Sequence, residues 1–207
     1  IFPAVRAVGQ GKGETVFYLT ARTITRTVAE DAFSILRGKG LHFKSITITA
    51  KEKMCFCDEM DCDPQKCPYA KGHYDRINDA VYELWTKEEA FDRETILAQA
   101  EKYSVCPFEM TLDLAVWMDG IVCDYNYVFD PNVYLKRFFG ENIKGKYLFL
   151  IDEAHNLVDR GREMYSATLC KEEIESTRRF VRSHSNRLYR MLGKAAKQLE
   201  VLKEESS

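Results

Sequence analysis

One short stretch, KYLFLIDEAHNL from Lys146 to Leu157, constrains the fold of this chain more than any other. Four apolar residues in a row, Leu148 to Ile151, run directly into two adjacent carboxylates, Asp152 and Glu153. A short apolar run bounded by charge is typical of a fully buried strand in a parallel sheet. Ligands bind beyond the carboxyl ends of such strands, so the two acids are predicted to face a ligand crevice.

Further patterns along the chain predict an α/β fold with a helical interruption. Strands are expected at TVFYLT (15–20), FKSITITA (43–50), DGIVCDYNYVF (119–129) and YLFLI (147–151). A helix is expected after the first of them, ending at Gly38 or Gly40. From Lys51 to about Lys102 the chain is rich in cysteine, then acidic and helical, without a strand pattern. After His155 it is expected to be helical to its end.

Composition excludes several classes of protein. With 207 residues, of which 45% are hydrophobic, the chain can bury a core and is not disordered as a whole. Its net charge of −2 means that nucleic-acid binding would need a local basic patch. No apolar run approaches the ~20 residues of a membrane helix, and the first residues lack a signal-peptide pattern. We therefore expect no membrane partner and a cytoplasmic location, associated with the nucleoid if the source is bacterial.

The two carboxylates at the strand end have the chemistry of a phosphate-transfer site. One acidic group at this position can hold Mg²⁺, usually through water, and the next can orient a water molecule for attack on a phosphate. The other interpretation is an ordinary loop in which Asp152 or Asn156 caps the following helix. The acidic pair alone favours that loop, whereas the complete LIDEAH after a buried strand favours a nucleotide-hydrolysing motor.

Such a motor also needs a phosphate-binding loop, G-x-x-x-x-G-K-[ST], between a strand and a helix. The segment GQGKGET (9–15) does not qualify, because Lys12 is followed by Gly13 and a strand is expected next. No other stretch of the sequence fits. The 207-residue chain is therefore predicted not to hydrolyse ATP by itself.

Seven cysteines are many for the expected compartment, and most of them are clustered. Four fall within thirteen residues and three lie further along the chain: Cys55, Cys57, Cys62 and Cys67, then Cys106, Cys123 and Cys170. In a reducing compartment such a cluster indicates metal binding rather than disulfides. Zinc is one possibility, although zinc ribbons usually carry C-x-x-C pairs and this sequence has none. An iron–sulfur cluster, which takes four thiolates, is the stronger prediction.

Several blocks, in this order, resemble the superfamily 2 DNA helicases of the XPD/DinG type, which carry an iron–sulfur domain inside their first motor domain. The blocks are VFYLTARTITR, TAKEKMC, VCPFEMTLDLAVWMDGIVCDYNYVFDP and LFLIDEAHNL. They resemble the DNA-contacting motif, the entry to the cluster domain, the exit from it and the DEAH box. The DEAH tetrapeptide is only moderately specific, whereas the ordered set with four cysteines between two of its members is strongly specific.

The resemblance implies an organisation and an activity. Residues 1–50 and 107–156 would form part of a RecA-like motor domain, 51–106 an iron–sulfur domain and 157–207 the start of a helical arch domain. The chain would be a fragment of an ATP-dependent DNA helicase that acts on single-stranded or forked DNA. The phosphate loop and the second motor domain would belong to the remainder of the same polypeptide. The alternative is a non-catalytic, metal-binding nucleic-acid module.

The resemblance also implies the ligands of a [4Fe–4S] cluster. They are Cys55, Cys62, Cys67 and Cys106, the last identified by the Pro107 that follows it. Cys57 is left as a spare thiol, because in an extended segment it would point away from Cys55. Cys123 and Cys170 are interpreted as core thiols.

Five other residues receive roles from the same resemblance. Asp152 would hold Mg²⁺ and ATP, Glu153 would activate water, and His155 would relay the nucleotide state to the DNA site. Arg22 and Thr23 resemble contacts to the DNA backbone, where hydroxyls and arginines are the expected groups. An interpretation compatible with this is that Thr23 only caps a helix.

The segment RRFVRSHSNRLYRMLGKAAK (178–197) is predicted to be one basic amphipathic helix. It contains seven lysines and arginines and no acid. Contact with nucleic acid and simple solvation of an arch helix are equally compatible with this pattern.

Overall fold

A parallel sheet forms the centre of the fold in the computed structural model, which describes residues 1–21 and 23–205. The strand order is β3-β2-β4-β1-β5, and every recorded pairing is parallel. The strands are β1 (Thr15–Leu19), β2 (Ser45–Thr47), β3 (Ala90–Phe91), β4 (Gly120–Cys123) and β5 (Tyr147–Ile151). The predicted α/β class with a parallel sheet is confirmed.

Helices connect and cover these strands. In chain order they are α1 (Phe2–Gly9), α2 (Thr23–Arg37), α3 (Lys51–Met54), α4 (His73–Lys87), α5 (Arg93–Tyr103), α6 (Pro107–Ala115), α7 (Asn126–Phe129), α8 (Lys136–Phe139), α9 (Leu157–Met164), α10 (Lys171–Val181) and α11 (Asn186–Glu205). A 3-10 turn, Ala154–Asn156, lies between β5 and α9. Among the helices described, none is both long and apolar enough to cross a lipid bilayer.

Strand β5 is parallel as predicted, but it is not fully buried. It pairs with β1 and is the last strand of the sheet in the described chain. Its side chains are half-buried, and Phe149 is 42% exposed. The prediction of a fully buried strand is wrong, because an apolar run does not show whether its strand lies at the centre or at the edge of a sheet.

Two other strand predictions need correction. The strand expected at 119–129 stops at Cys123, because the Asp124 carboxylate accepts a hydrogen bond from the Asn126 N–H (3.0 Å) and turns the chain into α7. The stretch expected to lack strands contributes β3, which pairs with β2 at the edge of the sheet. Two residues are too few to show an alternating pattern.

Apolar clusters cover both faces of the sheet. On one face Ile121 joins buried residues of α4, α5 and α6, and on the other Val122 joins those of α1 and α2. Packing at β4 is close, since a Cβ atom on Gly120 would lie 2.6 Å from the Phe43 ring. The cysteine-bearing insertion therefore shares an apolar core with the sheet.

The chain divides into two compact units, Ile1–Met164 and the residues from Tyr165 onward. In the second unit, the prediction of a single helix over residues 178–197 is wrong. The Val181 carbonyl accepts the N–H groups of His184 and Ser185 and ends α10, and α11 begins at Asn186. The division of the first unit into a motor part and a cluster domain stays a prediction.

Candidate functional site

Asp152 lies at the carboxyl end of β5, where the sequence places it. Its N–H donates to the Leu19 carbonyl (2.9 Å), and its own carbonyl accepts a hydrogen bond from the Tyr125 hydroxyl. Burial, and then the negative charge of Asp152, raise the pKa of the Tyr18 and Tyr125 hydroxyls. The half-buried Asp152 carboxylate is therefore flanked by two neutral phenols, those of Tyr18 and Tyr125.

The next residue, Glu153, turns the chain away from the sheet. Its φ is 48°, in the left-handed region that residues with a Cβ rarely adopt. Its carboxylate and the His155 ring are both more than half exposed, with Oε2 3.3 Å from Nδ1. The structure therefore brings Asp152, Glu153 and His155 together at one strand end.

A basic cleft of about 770 Å³ lies where the carboxyl ends of β1, β2 and β4 face α6 and α8. Its cationic side chains are Arg26, Lys51, Lys53, Lys136 and Arg137, and its acidic ones are Glu52, Glu109 and Asp124. Cations thus outnumber acids, although the chain as a whole has a net charge of −2. This basic cleft is the local patch that nucleic-acid binding would require.

The two predicted DNA contacts cannot be placed at this cleft. Arg22 lies outside the described residues, and so does the side chain of Thr23, whose backbone begins α2. The basic cleft itself was not predicted, because its cations come from three separate segments of the chain.

The predicted ligands Cys55, Cys62, Cys67 and Cys106 line a second cavity of about 240 Å³, here called the cysteine cavity. Cys57 lines it too, with its Sγ 4.0 Å from the Sγ of Cys67. The expectation that Cys57 points away is therefore wrong, because the chain bends after Cys55 instead of staying extended.

Among the described side chains, the cysteine cavity has no preformed metal-binding group. Within residues 1–21 and 23–205, no three His, Cys, Asp or Glu side chains are gathered to hold one metal ion. The cysteines line a cavity, and four thiolates are a donor set both of zinc sites and of iron–sulfur clusters.

Burial keeps two of these thiols protonated in the absence of metal. It raises the pKa of Cys106, and it raises the pKa of Cys57 to about 11, with a further contribution from the hydrogen bond to Cys67. Metal binding at Cys106 must displace its proton, so loading is expected to be favoured by higher pH.

Side chains at the start of α4 hold the segment that carries Cys106. The Cys106 N–H donates to His73 Nδ1 (3.2 Å), and Arg76 donates to the carbonyls of Tyr103 (2.9 Å) and Ser104 (2.7 Å). His73 and Arg76 were missed at the sequence level. Their positions soon after the cluster of four cysteines are the only sequence signal that could have identified them.

The cysteine cavity and the basic cleft adjoin one another. Lys51, Phe108 and Glu109 line both of them. The pKa of the Lys51 ammonium group is raised, chiefly by its hydrogen bond to Cys62. The two cavities are therefore parts of one composite site in the first unit.

A parallel sheet with acids at a strand end and a cysteine-bearing helical insertion beside a basic cleft place this chain in the α/β class of proteins with an inserted helical segment. More particularly, the chain belongs to the DEAD_2 family, whose sequence model matches residues 39–174. The predicted resemblance to the XPD/DinG type is thereby confirmed.

Three relatives illustrate the similarity. The Fanconi anemia group J protein homolog of Gallus gallus is 32% identical over 90 residues, which are 44% of this chain and 7% of that protein. The ATP-dependent DNA helicase CHL1 of Kluyveromyces lactis is 23% identical over 128 residues, 62% of this chain and 16% of that protein. The Regulator of telomere elongation helicase 1 homolog of Caenorhabditis elegans is 30% identical over 108 residues, 52% of this chain and 11% of that protein.

A solved structure described as Truncated XPD has the same fold. It matches with a TM-score of 0.57 at 20% identity and covers 95% of this chain and 56% of that chain. This chain thus spans little more than half of the matched structure and at most about a sixth of the three relatives.

Proposed function

We propose that this chain is part of an ATP-dependent DNA helicase in which it supplies part of the first motor domain, the cluster insertion and the start of the arch. Membership of the DEAD_2 family supports the proposal, as do relatives named ATP-dependent DNA helicases. The single observation that carries it is the basic cleft at the carboxyl edge of the sheet, which adjoins a cavity lined by five cysteines.

The acidic strand end is proposed to serve nucleotide hydrolysis. Asp152 holds the Mg²⁺ that accompanies ATP, Glu153 orients the attacking water, and His155 transmits the nucleotide state towards the DNA. Their common position after β5, and the left-handed backbone of Glu153, support these roles. The remaining contacts to ATP would come from the phosphate loop and second motor domain of the same polypeptide.

The cysteine cavity is proposed to hold a [4Fe–4S] cluster through Cys55, Cys62, Cys67 and Cys106. When bound, the cluster supplies four iron–thiolate bonds that cross-link segments distant in sequence. The residues of this chain then keep the insertion folded beside the basic cleft, where the strands of a DNA fork would part. His73 and Arg76 hold the Cys106 segment in place for ligation.

Single-stranded DNA is proposed to lie in the basic cleft with its phosphates facing the cations. Arg22 and Thr23, which are close in sequence to Arg26 of the cleft, remain proposed contacts. Binding to phosphates releases counterions, so the affinity should fall as salt rises.

The test is fluorescence anisotropy of a labelled oligodeoxynucleotide over a range of salt concentrations. Charge reversal of Lys53 and Lys136 should weaken binding and reduce the salt slope by about one for each phosphate that the variant no longer neutralises. Lys39→Glu, at an exposed position outside the cleft, is the matched control and should bind like the wild type. Equal losses of affinity in the control, or no binding at low salt, would contradict the proposed DNA path.

A further inference from the structure

We propose that His73, Asp113 and Arg137 form a chain of polar contacts through which phosphate bound in the basic cleft strengthens the hold on Cys106. The proposal rests on the cluster site proposed above and concerns residues that the family resemblance did not identify. It makes His73 and Asp113 positioning residues that link two neighbouring cavities.

The inner end of the chain is the buried ring of His73. Its Nδ1 accepts the Cys106 N–H at 3.2 Å, so in the neutral ring the proton lies on Nε2. Because Nδ1 accepts this hydrogen bond, it carries no proton and the ring is neutral. Nε2 is buried and has no hydrogen-bond partner in the described structure. A buried donor without an acceptor is unfavourable, so a small movement that supplied one would stabilise this conformation.

The nearest recorded acceptor for that proton is Asp113, whose Oδ2 lies 3.9 Å from Nε2. This distance is about 1 Å too long for a hydrogen bond. The other carboxylate oxygen, Oδ1, pairs with Nη1 of Arg137, a residue that lines the basic cleft. Asp113 therefore pairs with the Arg137 guanidinium on the cleft side and lies close to the unpartnered N–H of His73 without bonding to it.

A phosphate bound in the cleft would weaken the pair between Asp113 and Arg137. Arginine binds phosphate and carboxylate with the same two-pronged geometry, so a DNA phosphate competes with Asp113 for Arg137. Released from that pair, Asp113 can close the remaining gap and accept the Nε2 proton of His73. A histidine fixed at both ring nitrogens has one tautomer and one orientation, as in metal sites where a second residue orients the ligand. Cys106 is then held more firmly.

This coupling makes a reciprocal prediction about DNA and the cluster. If bound DNA strengthens the hold on the cluster, the cluster must raise the affinity for DNA by the same free energy. Glu109, 3.6 Å from Arg137, gives the guanidinium a second acid, whereas Asp113 is the acid whose Oδ2 lies 3.9 Å from Nε2 of His73. The effect is therefore expected to depend on Asp113.

The experiment measures the rate of iron release to a chelator from the anaerobically purified chain, with and without saturating oligodeoxythymidylate at low salt. DNA should slow iron release from the wild type by about fivefold or more. The ratio of the two rates should fall to near one in Asp113→Ala and His73→Asn. Lys39→Ala removes a cation outside both cavities, so it is the control and should keep the full ratio.

The ratio of the iron-release rates without and with DNA distinguishes coupling between DNA and the cluster from a merely structural role of a residue. A variant that only loosens the insertion releases iron faster with and without DNA, and its ratio stays at the wild-type value. Should Asp113→Ala fail to fold, Asp113→Asn keeps the side-chain size and should also lower the ratio towards one. Equal protection by DNA in the wild type and in the Asp113 variants, or no protection in the wild type, would overturn this inference alone. A wild-type chain without iron would overturn the proposed cofactor and this inference with it.

Discussion

Two non-glycine residues in the described ranges have a positive φ, and each stands beside a proposed site. Glu153 (φ 48°) belongs to the acidic strand end, and Ser104 (φ 52°) lies two residues before Cys106. Left-handed backbone costs roughly 1–2 kcal/mol for residues other than glycine. Such conformations persist where the surroundings enforce them and often accompany function.

Relieving this strain at Glu153 should stabilise the fold. We expect Glu153→Gly to raise the free energy of unfolding by up to about 1 kcal/mol, since glycine adopts this φ freely but loses more entropy on folding. Glu153→Gln is the matched control and should bring no gain, because it keeps the Cβ atom. Urea unfolding of both variants gives the comparison, and a glycine variant less stable than the glutamine variant would contradict the expectation.

At the residue level, the sequence predicts positions that depend on local pattern. Asp152 was found because an apolar run and the charge that ends it are adjacent in sequence. His73 was not found, because its role depends on a contact with Cys106, 33 residues away. The direction of Cys57 was predicted wrongly because it depends on a bend that composition does not reveal.

At the scale of elements, a single carboxylate fastens α4 to α5. Glu83 accepts hydrogen bonds from the side chains of Lys87 on its own helix and of Lys102 and Tyr103 on the next. These bonds, Lys102 first, hold the pKa of Glu83 well below its ordinary value of 4.5. The two helices lie between Cys67 and Cys106 in the insertion. The contacts of Glu83 between them therefore support the cysteine cavity indirectly.

The insertion should therefore lose stability in acid. A depressed pKa means that Glu83 stabilises the fold fully above about pH 4.5, and that this contribution is lost progressively as the pH falls below that value. Glu83→Gln should lower stability at pH 7 and make it less dependent on pH between 5 and 3, as measured by urea midpoints. Glu101→Gln, at an exposed position of α5, is the control and should behave like the wild type. Parallel pH profiles for Glu83→Gln and the wild type would be contrary to this account.

Elements with a long pattern were predicted better than short ones. Strands β1 and β5 were placed within one residue of their observed bounds, and helix α2 ends one residue before Gly38, the first of its two predicted ends. Strand β3 has only two residues, and the break between α10 and α11 lies in a basic stretch that still reads as helical. The edge position of β5 depends on strand order, which is a tertiary property.

At the scale of the whole molecule, the chain is expected to bind DNA but not to turn over ATP. Phosphoryl transfer depends on positioning the phosphates and their metal ion, and the sequence contains no phosphate-binding loop to do so. The expected result is no hydrolysis above background with single-stranded DNA present. Turnover by the 207-residue chain that Glu153→Gln abolished would show that the nucleotide site has been misplaced.

We propose that the cysteine cavity and the basic cleft form one site organised by an iron–sulfur cluster. Both cavities lie in the first compact unit and share Lys51, Phe108 and Glu109. The charge that would attract DNA and the thiols that would bind iron therefore belong to the same part of the fold.

The most direct test is the iron, acid-labile sulfide and zinc content of the chain purified without oxygen. We expect a brown protein with about four iron and four sulfide per chain. Cys106→Ser should lose this content, whereas Cys57→Ser should keep it. A colourless wild-type protein that holds one zinc ion per chain would contradict the account.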